Sequence, residues 1–299
     1  MFTGCGTALV TPFREDLSLD EDAFRRLVRR QIDAGINFLV PCGTTGESPT
    51  LSHEEARRVV QISIEEARPK KVPVLAGAGG YNTAEVIERA REWQSLGANG
   101  ILSVSPYYNR PTQEGLYQHF KAIAAAISLP IILYNIPGRT GVNIESPTVK
   151  RLAEIENIIG VKEASGNISQ MAAVLSMVPE SFLVLSGDDG ITIPLMSLGG
   201  RGVVSVISNE IPTEMTRLAQ LCLSGDFAGA LAVHRRYFPL MEANFVETNP
   251  GPVKAGMALM GLLEPIFRLP LVPPKPENLT KIRSALESVG LVQGAYAAR

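Results

Sequence analysis

The sequence has few of the residues that build disulfide frameworks and metal sites. Its 299 residues include three cysteines and three histidines, and both types are widely scattered. No C-x-x-C pair and no metal-ligand spacing occurs, which excludes a zinc knuckle and predicts reduced thiols in a reducing compartment. The cysteines are Cys5, Cys42 and Cys222.

Strong charge and long apolar runs are also missing. The formal net charge is -2, and the basic pairs are short, so the sequence predicts no nucleic-acid surface. No apolar run approaches the length of about 18 residues that a membrane-spanning helix needs. The first residues carry no basic segment followed by an apolar one, so we expect no secretory signal and predict a cytoplasmic protein.

Short apolar runs alternate with longer amphipathic segments from the start of the chain. Eight alternations of this kind predict an α/β fold, specifically a (β/α)8 TIM barrel. A doubly wound sheet is the alternative, but it usually has a glycine-rich turn after its first strand, whereas this chain has Val10-Thr-Pro-Phe13. The predicted strands are Gly6–Val10, Asn37–Pro41, Val72–Gly77, Gly100–Val104, Pro130–Tyr134, Ile158–Lys162, Phe182–Leu185 and Gly202–Val206.

The strand pattern stops near Asp226. Three helical segments follow it, at 226–247, 253–263 and 277–289. The sequence therefore predicts a catalytic barrel over residues 1–225 and a small C-terminal helical domain over residues 226–299.

Lys162 is the most informative residue, because it lies inside an otherwise apolar strand pattern at the end where TIM barrels carry their chemistry. An unpaired buried ammonium is costly, so burial favours the neutral amine, which attacks carbonyl groups. Strand alternation predicts Ile158 and Gly160 on the face of Lys162, with Gly160 leaving room beneath its side chain. The alternative is a lysine paired with a buried carboxylate, Glu163 or Asp188. Lys254 is a weaker candidate, since a helical lysine can extend to water.

Other polar residues follow the predicted strands. The Gly43-Thr-Thr-Gly-Glu-Ser48 loop offers backbone N–H groups and hydroxyls that suit a carboxylate or phosphate, although it could equally be a plain turn. Tyr134 could relay protons and Arg139 could hold a carboxylate, or each could be structural. The absence of clustered metal ligands favours an amine-dependent aldolase over a metal-dependent one, and no G-x-S-x-G hydrolase elbow occurs.

At these residues the chain resembles the dihydrodipicolinate synthase family, which belongs to the pyruvate-dependent lyases that include N-acetylneuraminate lyase. The resemblance runs from Phe2 to about Val292. It rests on five segments in order: Gly43-Thr-Thr-Gly-Glu47, Pro106-Tyr-Tyr-Asn-Arg-Pro111, Tyr134-Asn-Ile-Pro-Gly-Arg-Thr140, Gly160-Val-Lys-Glu-Ala164 and Asn249-Pro-Gly-Pro-Val-Lys254.

The resemblance implies roles for individual residues. Lys162 is the expected Schiff-base lysine, and Arg139 is expected to receive the carboxylate of L-aspartate 4-semialdehyde. A proton relay is expected from Tyr134, Thr45 and Tyr108, with Tyr108 lent by a neighbouring subunit. The pyruvate pocket is expected to include Thr44, Thr45, Gly187 and Val204.

The resemblance also implies a reaction and an assembly. A lyase of this family condenses pyruvate with L-aspartate 4-semialdehyde in diaminopimelate and lysine biosynthesis, through a Schiff base and with no metal or other cofactor. The expected assembly is a homotetramer, a dimer of dimers. Two alternatives are a sister lyase that uses another aldehyde, and a non-catalytic binding protein on the same scaffold.

Regulation by lysine stays open. The family's lysine-binding effector site is matched by Ser48, His53, Glu85 and Tyr107. Lysine-sensitive enterobacterial members carry His and Asn at two positions where this chain has Ala56 and Tyr81. Weakened or absent inhibition by lysine is therefore the favoured hypothesis.

Overall fold

A computed structural model describes residues 1–293, and within them eight parallel strands form a barrel. The strands follow the sheet order β2-β1-β8-β7-β6-β5-β4-β3, and a bridge between Leu39 and Val74 joins the two edges. The predicted TIM barrel is confirmed. The strands are β1 Gly4–Ala8, β2 Phe38–Val40, β3 Leu75–Gly77, β4 Gly100–Val104, β5 Ile131–Asn135, β6 Ile158–Glu163, β7 Leu183–Ser186 and β8 Gly202–Ser205.

Helices follow the strands around the outside of the barrel. Their apolar faces pack on the strands, as expected for amphipathic segments between parallel strands. The helices are α1 Glu21–Asp33, α2 His53–Ala67, α3 Thr83–Leu96, α4 Gln113–Ala126, α5 Pro137–Thr140, α6 Ser146–Leu152, α7 Ile168–Met177, α8 Thr192–Ser197, α9 Pro212–Leu223, α10 Phe227–Ala243, α11 Gly251–Leu259 and α12 Pro276–Ser288.

Local capping fixes where the first helices begin. The Asp20 carboxylate accepts a hydrogen bond from the Ala23 amide at the start of α1. Ser52 and Glu55 form a reciprocal capping box at the start of α2. Because a cap satisfies backbone N–H groups that the helix leaves free, each helix begins directly after its capping residue.

Two apolar layers surround the strands. The larger lies between the strands and the outer helices, where Trp93 of α3 donates its indole N–H to the Gly77 carbonyl at 2.9 Å. The smaller fills the inside of the barrel and lies beneath the catalytic end. Its members include Phe2, Phe38, Val40, Leu75, Leu102, Ile132, Tyr134, Leu185 and Val204.

Strand β6 departs from simple alternation. Ile158 pairs with Ile131 but Gly160 pairs with the next residue, Ile132, so the register shifts by one residue. Ile158 consequently packs in the outer layer, and Ile159 contacts the barrel interior. The prediction that Ile158 shares the face of Lys162 was wrong, because one extra residue in a strand reverses the alternation before it.

The last three helices, α10, α11 and α12, follow the last barrel helix. Asn244, just after α10, donates to the Glu210 carboxylate at 2.6 Å and so ties this part to the end of β8. The predicted boundary at residue 225 stays a prediction, and residues 294–299 of the predicted domain lie outside the described residues. Across residues 1–293, no helix combines the length and the apolar character needed to cross a bilayer.

Candidate active site

Lys162 lies at the catalytic end of the barrel between two neighbouring strands. It pairs in register with Tyr134 of β5 and with Leu185 of β7, and its side chain is 6% exposed. Its Nζ lies 4.1 Å from the centre of the Tyr134 ring. The amine is therefore buried against the aromatic residue that sequence analysis proposed as its proton relay.

The nearby carboxylates do not pair with Lys162. Glu163 faces the outside of the barrel, where it accepts hydrogen bonds from Asn135 and Gln170 and from the Ser165 amide. Within residues 1–293, no carboxylate oxygen lies within 4.0 Å of the Lys162 Nζ. The alternative of a purely structural ion pair with Glu163 or Asp188 is therefore contradicted.

Gly187 leaves the space that Lys162 occupies. A Cβ atom at Gly187 would lie 3.0 Å from the Lys162 Cε and 2.6 Å from the Ala164 Cβ. Gly160 has a different reason for being glycine, since a Cβ there would lie 2.5 Å from the Leu183 carbonyl oxygen. The glycine in direct contact with the Lys162 side chain is therefore Gly187, which follows β7, while the expected role of Gly160 stays a prediction.

Lys162 lines a small cavity of about 40 Å³. Val206 also lines it, whereas the predicted pocket residue Val204 belongs to the apolar layer inside the barrel. The cavity brings together six of the predicted residues: Thr44, Thr45, Tyr134, Arg139, Lys162 and Gly187.

Asn249 is a site residue for which sequence analysis predicted no role. Its side-chain Nδ2 donates to the Thr45 hydroxyl at 3.0 Å, and its backbone carbonyl accepts from the Arg139 guanidinium at 3.0 Å. Its Oδ1 is buried and has no partner among the described residues. Asn249 is the first residue of one of the five segments that resemble the family, but it is 204 residues from Thr45 in the sequence. No local pattern could have revealed the contact.

The same C-terminal segment contacts the loop after β2 at a second point. The Lys254 Nζ lies 2.5 Å from the Glu47 carboxylate, and both side chains are fully buried. The ammonium also donates to the Ile266 carbonyl at 2.8 Å. Burial lowers the pKa of Lys254, and the Glu47 carboxylate opposes that shift. The expectation that Lys254 extends to water was wrong, because its side chain is fully buried and contacts Glu47 and Ile266.

A second, wider cavity of about 250 Å³ adjoins the first. Thr44, Tyr134 and Arg139 line both cavities. The predicted effector residues divide here. Ser48 and Tyr107 line this outer cavity, whereas His53 pairs with Glu92 at 3.2 Å and Glu85 accepts a hydrogen bond from Asn82 at 2.8 Å.

Tyr108 does not reach either cavity of its own chain. It is 89% exposed and has a left-handed backbone with φ of 67°. Tyr81 packs edge-on against Tyr107, with ring centres 5.3 Å apart, and lies 6.4 Å from the Tyr108 ring. The Asn109 side chain donates to the Tyr81 carbonyl at 3.0 Å. Tyr81 thus supports a loop that presents Tyr108 outward.

Known proteins match this chain over nearly its whole length. The family model described as "Dihydrodipicolinate synthetase family" matches residues 1–289. A relative from Koribacter versatilis, named 4-hydroxy-tetrahydrodipicolinate synthase, is 52% identical over 99% of each chain. One from Chloroherpeton thalassium with the same name is 49% identical, over 99% of this chain and 98% of its own.

A solved structure shares the whole arrangement of the chain. The crystal structure of dihydrodipicolinate synthase from Thermotoga maritima is 45% identical, covers 98% of this chain and 100% of its own, and has a TM-score of 0.95. Identity and coverage at this level leave one assignment. The chain belongs to the dihydrodipicolinate synthetase family.

Proposed function

We propose that this protein is a 4-hydroxy-tetrahydrodipicolinate synthase, a lyase that condenses pyruvate with L-aspartate 4-semialdehyde. The observation that carries the proposal is the Lys162 amine, buried against Tyr134 and free of any carboxylate in the described chain. A lysine in that setting forms imines with keto acids. The names of the full-length relatives support the choice of substrates.

Pyruvate enters the inner cavity and reacts with Lys162. The Nζ attacks the keto carbon, and the resulting carbinolamine loses water to form a protonated imine. Tyr134 is the nearest hydroxyl-bearing ring to the Nζ, and we assign it the proton transfers of these steps. We propose that the loop of Thr44 and Thr45 binds the pyruvate carboxylate, since both residues line this cavity.

The imine then makes carbon–carbon bond formation possible. The imine nitrogen withdraws electrons, so a proton leaves the pyruvate methyl group and an enamine forms. The enamine carbon attacks the aldehyde of the second substrate, and the aldehyde oxygen becomes a hydroxyl. The amine of that substrate then attacks the imine carbon, closes the ring and releases Lys162 as a free amine. The bonds balance without a metal or an organic cofactor.

Arg139 is the proposed receptor for the carboxylate of aspartate semialdehyde. It lines both cavities, and one of its N–H groups is fixed by the Asn249 carbonyl. A guanidinium has further donors for a carboxylate, which it binds with two parallel hydrogen bonds. This placement favours an acidic aldehyde over a polyhydroxylated one, and so favours the synthase over a sister lyase that acts on sugars.

The relay hydroxyl of the β2 loop can be assigned by experiment. Thr45, the residue that the family resemblance indicates, accepts a hydrogen bond from Asn249 and keeps its own proton for donation. Its neighbour Thr44 lines the passage between the two cavities. Thr45→Val should reduce kcat more than Thr44→Val. The reverse order would assign the relay to Thr44.

We further propose a homotetramer, a dimer of dimers, in which Tyr108 completes the relay of a neighbouring subunit. The exposure of Tyr108 and its outward presentation by Tyr81 support this arrangement. Mixed oligomers of Tyr108→Phe and Lys162→Ala chains should regain activity that neither variant has alone, because some sites then receive both intact residues. Failure to regain activity in oligomers shown to be mixed would remove Tyr108 from the neighbour's site.

The main test is turnover of pyruvate with L-aspartate 4-semialdehyde, coupled to a dihydrodipicolinate reductase and followed as loss of NADPH. Lys162→Ala should abolish both turnover and trapping of pyruvate by borohydride, while circular dichroism stays unchanged. Arg139→Ala should keep trapping but lose most turnover. Trapping without any turnover in the unsubstituted protein would contradict the synthase assignment and favour a sister lyase.

We also propose a cytoplasmic location, testable by cell fractionation.

A further inference from the structure

A further cavity, of about 420 Å³, is lined by α1, α11, α12 and the segment that joins α11 to α12. It shares no lining residue with either cavity at the catalytic end. Tyr108, which we assign to a neighbouring subunit's site, follows β4. Strands β2 and β3 separate β4 from β1, the strand that precedes α1. The cavity is therefore distinct from the substrate site and from the place where a neighbouring Tyr108 enters it.

Small side chains on two helices leave this space open. Ala23 of α1 and both Ala255 and Ala258 of α11 line the cavity. Larger side chains at these positions would fill it, as close packing does elsewhere in a protein interior. Pro273 and Pro274 form part of another wall, and the proline ring restricts the backbone there. The cavity is thus part of the folded chain and needs no rearrangement to exist.

The larger side chains of the lining are apolar. Leu263 is buried, and Leu259, Leu262 and Phe267 are half-buried. Covering such surfaces with an apolar group removes them from water, which is favourable, and an aromatic ring gains further from contact with another ring. The volume lies within the range of small-molecule sites. The cavity therefore suits a ligand with a large apolar group.

Three charged residues complete the lining. The exposed side chains of Arg26 and Glu264 form no hydrogen bond or ion pair among residues 1–293. One oxygen of Asp20 accepts from the Ala23 amide at 3.0 Å and lies 3.9 Å from Arg14, which leaves the other oxygen available. An anionic ligand would meet two carboxylates, and a cationic ligand would meet the guanidinium. A ligand that carries both charges matches all three residues.

We propose that this cavity binds an α-amino acid with a large apolar side chain. The carboxylate of the ligand binds Arg26, and its ammonium group lies between Asp20 and Glu264. Its side chain packs on the wall that includes Leu259 and Phe267. The proposal does not depend on the catalytic assignment, because no residue of the lysine-based site takes part.

The cavity adjoins the buried pair that holds the loop after β2. The Phe267 ring lies 5.1 Å from the Lys254 Nζ, and Lys254 pairs with Glu47 of that loop. A ligand that binds only the folded chain raises the free energy of unfolding. We therefore expect the bound amino acid to raise the urea midpoint of the whole protein.

L-phenylalanine is the probe, and calorimetry on the unsubstituted protein measures its binding. We expect a Kd of about 1 mM or lower, as is reasonable for a ligand of this size. L-phenylalaninamide and N-acetyl-L-phenylalanine each lack one of the two charges, and both should bind at least about fivefold more weakly. Arg26→Leu should raise the Kd of L-phenylalanine by a similar factor. It should not weaken binding of the amide further, because the amide has no carboxylate for Arg26 to bind.

A second variant tests the cavity rather than its charge. Ala258→Leu should fill the space and abolish binding, while circular dichroism shows that the fold is kept. The matched controls are Arg217→Leu on α9 and Ala122→Leu on α4, two exposed positions outside the cavity. Both controls should bind L-phenylalanine like the unsubstituted protein. No binding of L-phenylalanine, or an affinity left unchanged by Arg26→Leu or by Ala258→Leu, overturns the proposal.

Discussion

At the scale of single residues, the site depends on which charged groups are paired and which are not. Lys162 and Lys254 are both buried, yet Lys254 has a carboxylate at 2.5 Å and Lys162 has an aromatic ring at 4.1 Å. The Glu47 carboxylate stabilises the ammonium of Lys254, whereas the Lys162 Nζ faces an aromatic ring and no carboxylate of the described chain. The two lysines thus divide into a structural and a reactive one according to their neighbours.

Asn249→Ala should reduce kcat/KM by about tenfold, since it removes the hydrogen bond to Thr45 and leaves that hydroxyl without a fixed direction. The backbone contact to Arg139 does not involve the substituted side chain. We therefore expect the main effect in kcat and little change in pyruvate trapping. Asn278→Ala, which removes an asparagine contact to Glu247 near the surface, is the control. An unchanged kcat in Asn249→Ala would show that Thr45 needs no such positioning.

Lys254→Met should destabilise the protein by about 3–5 kcal/mol, because it leaves the Glu47 carboxylate buried without its cation. Urea unfolding measures the change. The double variant with Glu47→Gln should regain part of the loss, as the remaining buried group is then uncharged. Lys281→Met, at an exposed lysine of α12, should change stability little. A single variant as stable as the unsubstituted protein would mean that Glu47 finds another partner or water.

At this scale the sequence is most informative where one residue contradicts its own local pattern. Lys162 interrupts an apolar strand, and that conflict made it the leading candidate, with a paired structural lysine as the open alternative. Asn249 and Lys254 interrupt nothing, because polar residues are ordinary at the start of a helix. Their roles depend on contacts with residues more than 200 positions away, such as Thr45 and Glu47. Helical periodicity contains no information about such partners.

At the scale of elements, strands β6 and β7 together position Lys162, which lies in β6 and pairs with Leu185 of β7. The predicted strands agree with the observed ones to within about two residues at most ends, since turns and apolar runs define them well. The register shift in β6 could not be predicted, because β6 and its neighbours carry the same kinds of apolar residue on both sides. The sequence thus placed Lys162 correctly within β6 but did not indicate that Gly187, after β7, would contact its side chain.

Gly187→Ala should slow pyruvate trapping and destabilise the barrel by about 1–3 kcal/mol, the usual range for overpacking. The added methyl group would lie against both Lys162 and Ala164, so either the lysine or the strand end must shift. Gly138→Ala is the control, because a Cβ there has no atom within 4 Å. If the trapping rates of the two variants were equal, the space beside Lys162 would not limit imine formation.

At the scale of the whole molecule, the end of the barrel and the C-terminal helices share a buried acid. Glu210, just after β8, accepts a hydrogen bond from Asn244 after α10, and a Cβ on Gly256 of α11 would lie 2.4 Å from its other oxygen. Burial raises the pKa of Glu210 to about 8, and the Asp189 carboxylate contributes in the same direction. Glu210 thus joins three parts of the chain while holding a proton at neutral pH.

Stability should therefore fall as the pH rises from about 4.5 towards 8. In that range the folded protein holds a proton on Glu210 that the unfolded chain has lost, so unfolding releases a proton and becomes easier at higher pH. Glu210→Gln should flatten this part of the profile. Urea midpoints measured at intervals across the range test it, and equal slopes for the variant and the unsubstituted protein would exclude Glu210 as the cause.

The contact between Asn249 and Thr45 has a consequence for biosynthesis. A ribosome makes the chain from its N-terminus, so every strand of the barrel is synthesised before Asn249 leaves the exit tunnel. A nascent chain that already carries Lys162 and Tyr134 still lacks the residue that fixes the Thr45 hydroxyl. The complete site therefore forms late, after almost the whole polypeptide has been translated. An interrupted translation product contains Lys162 but lacks the residue that orients the Thr45 hydroxyl.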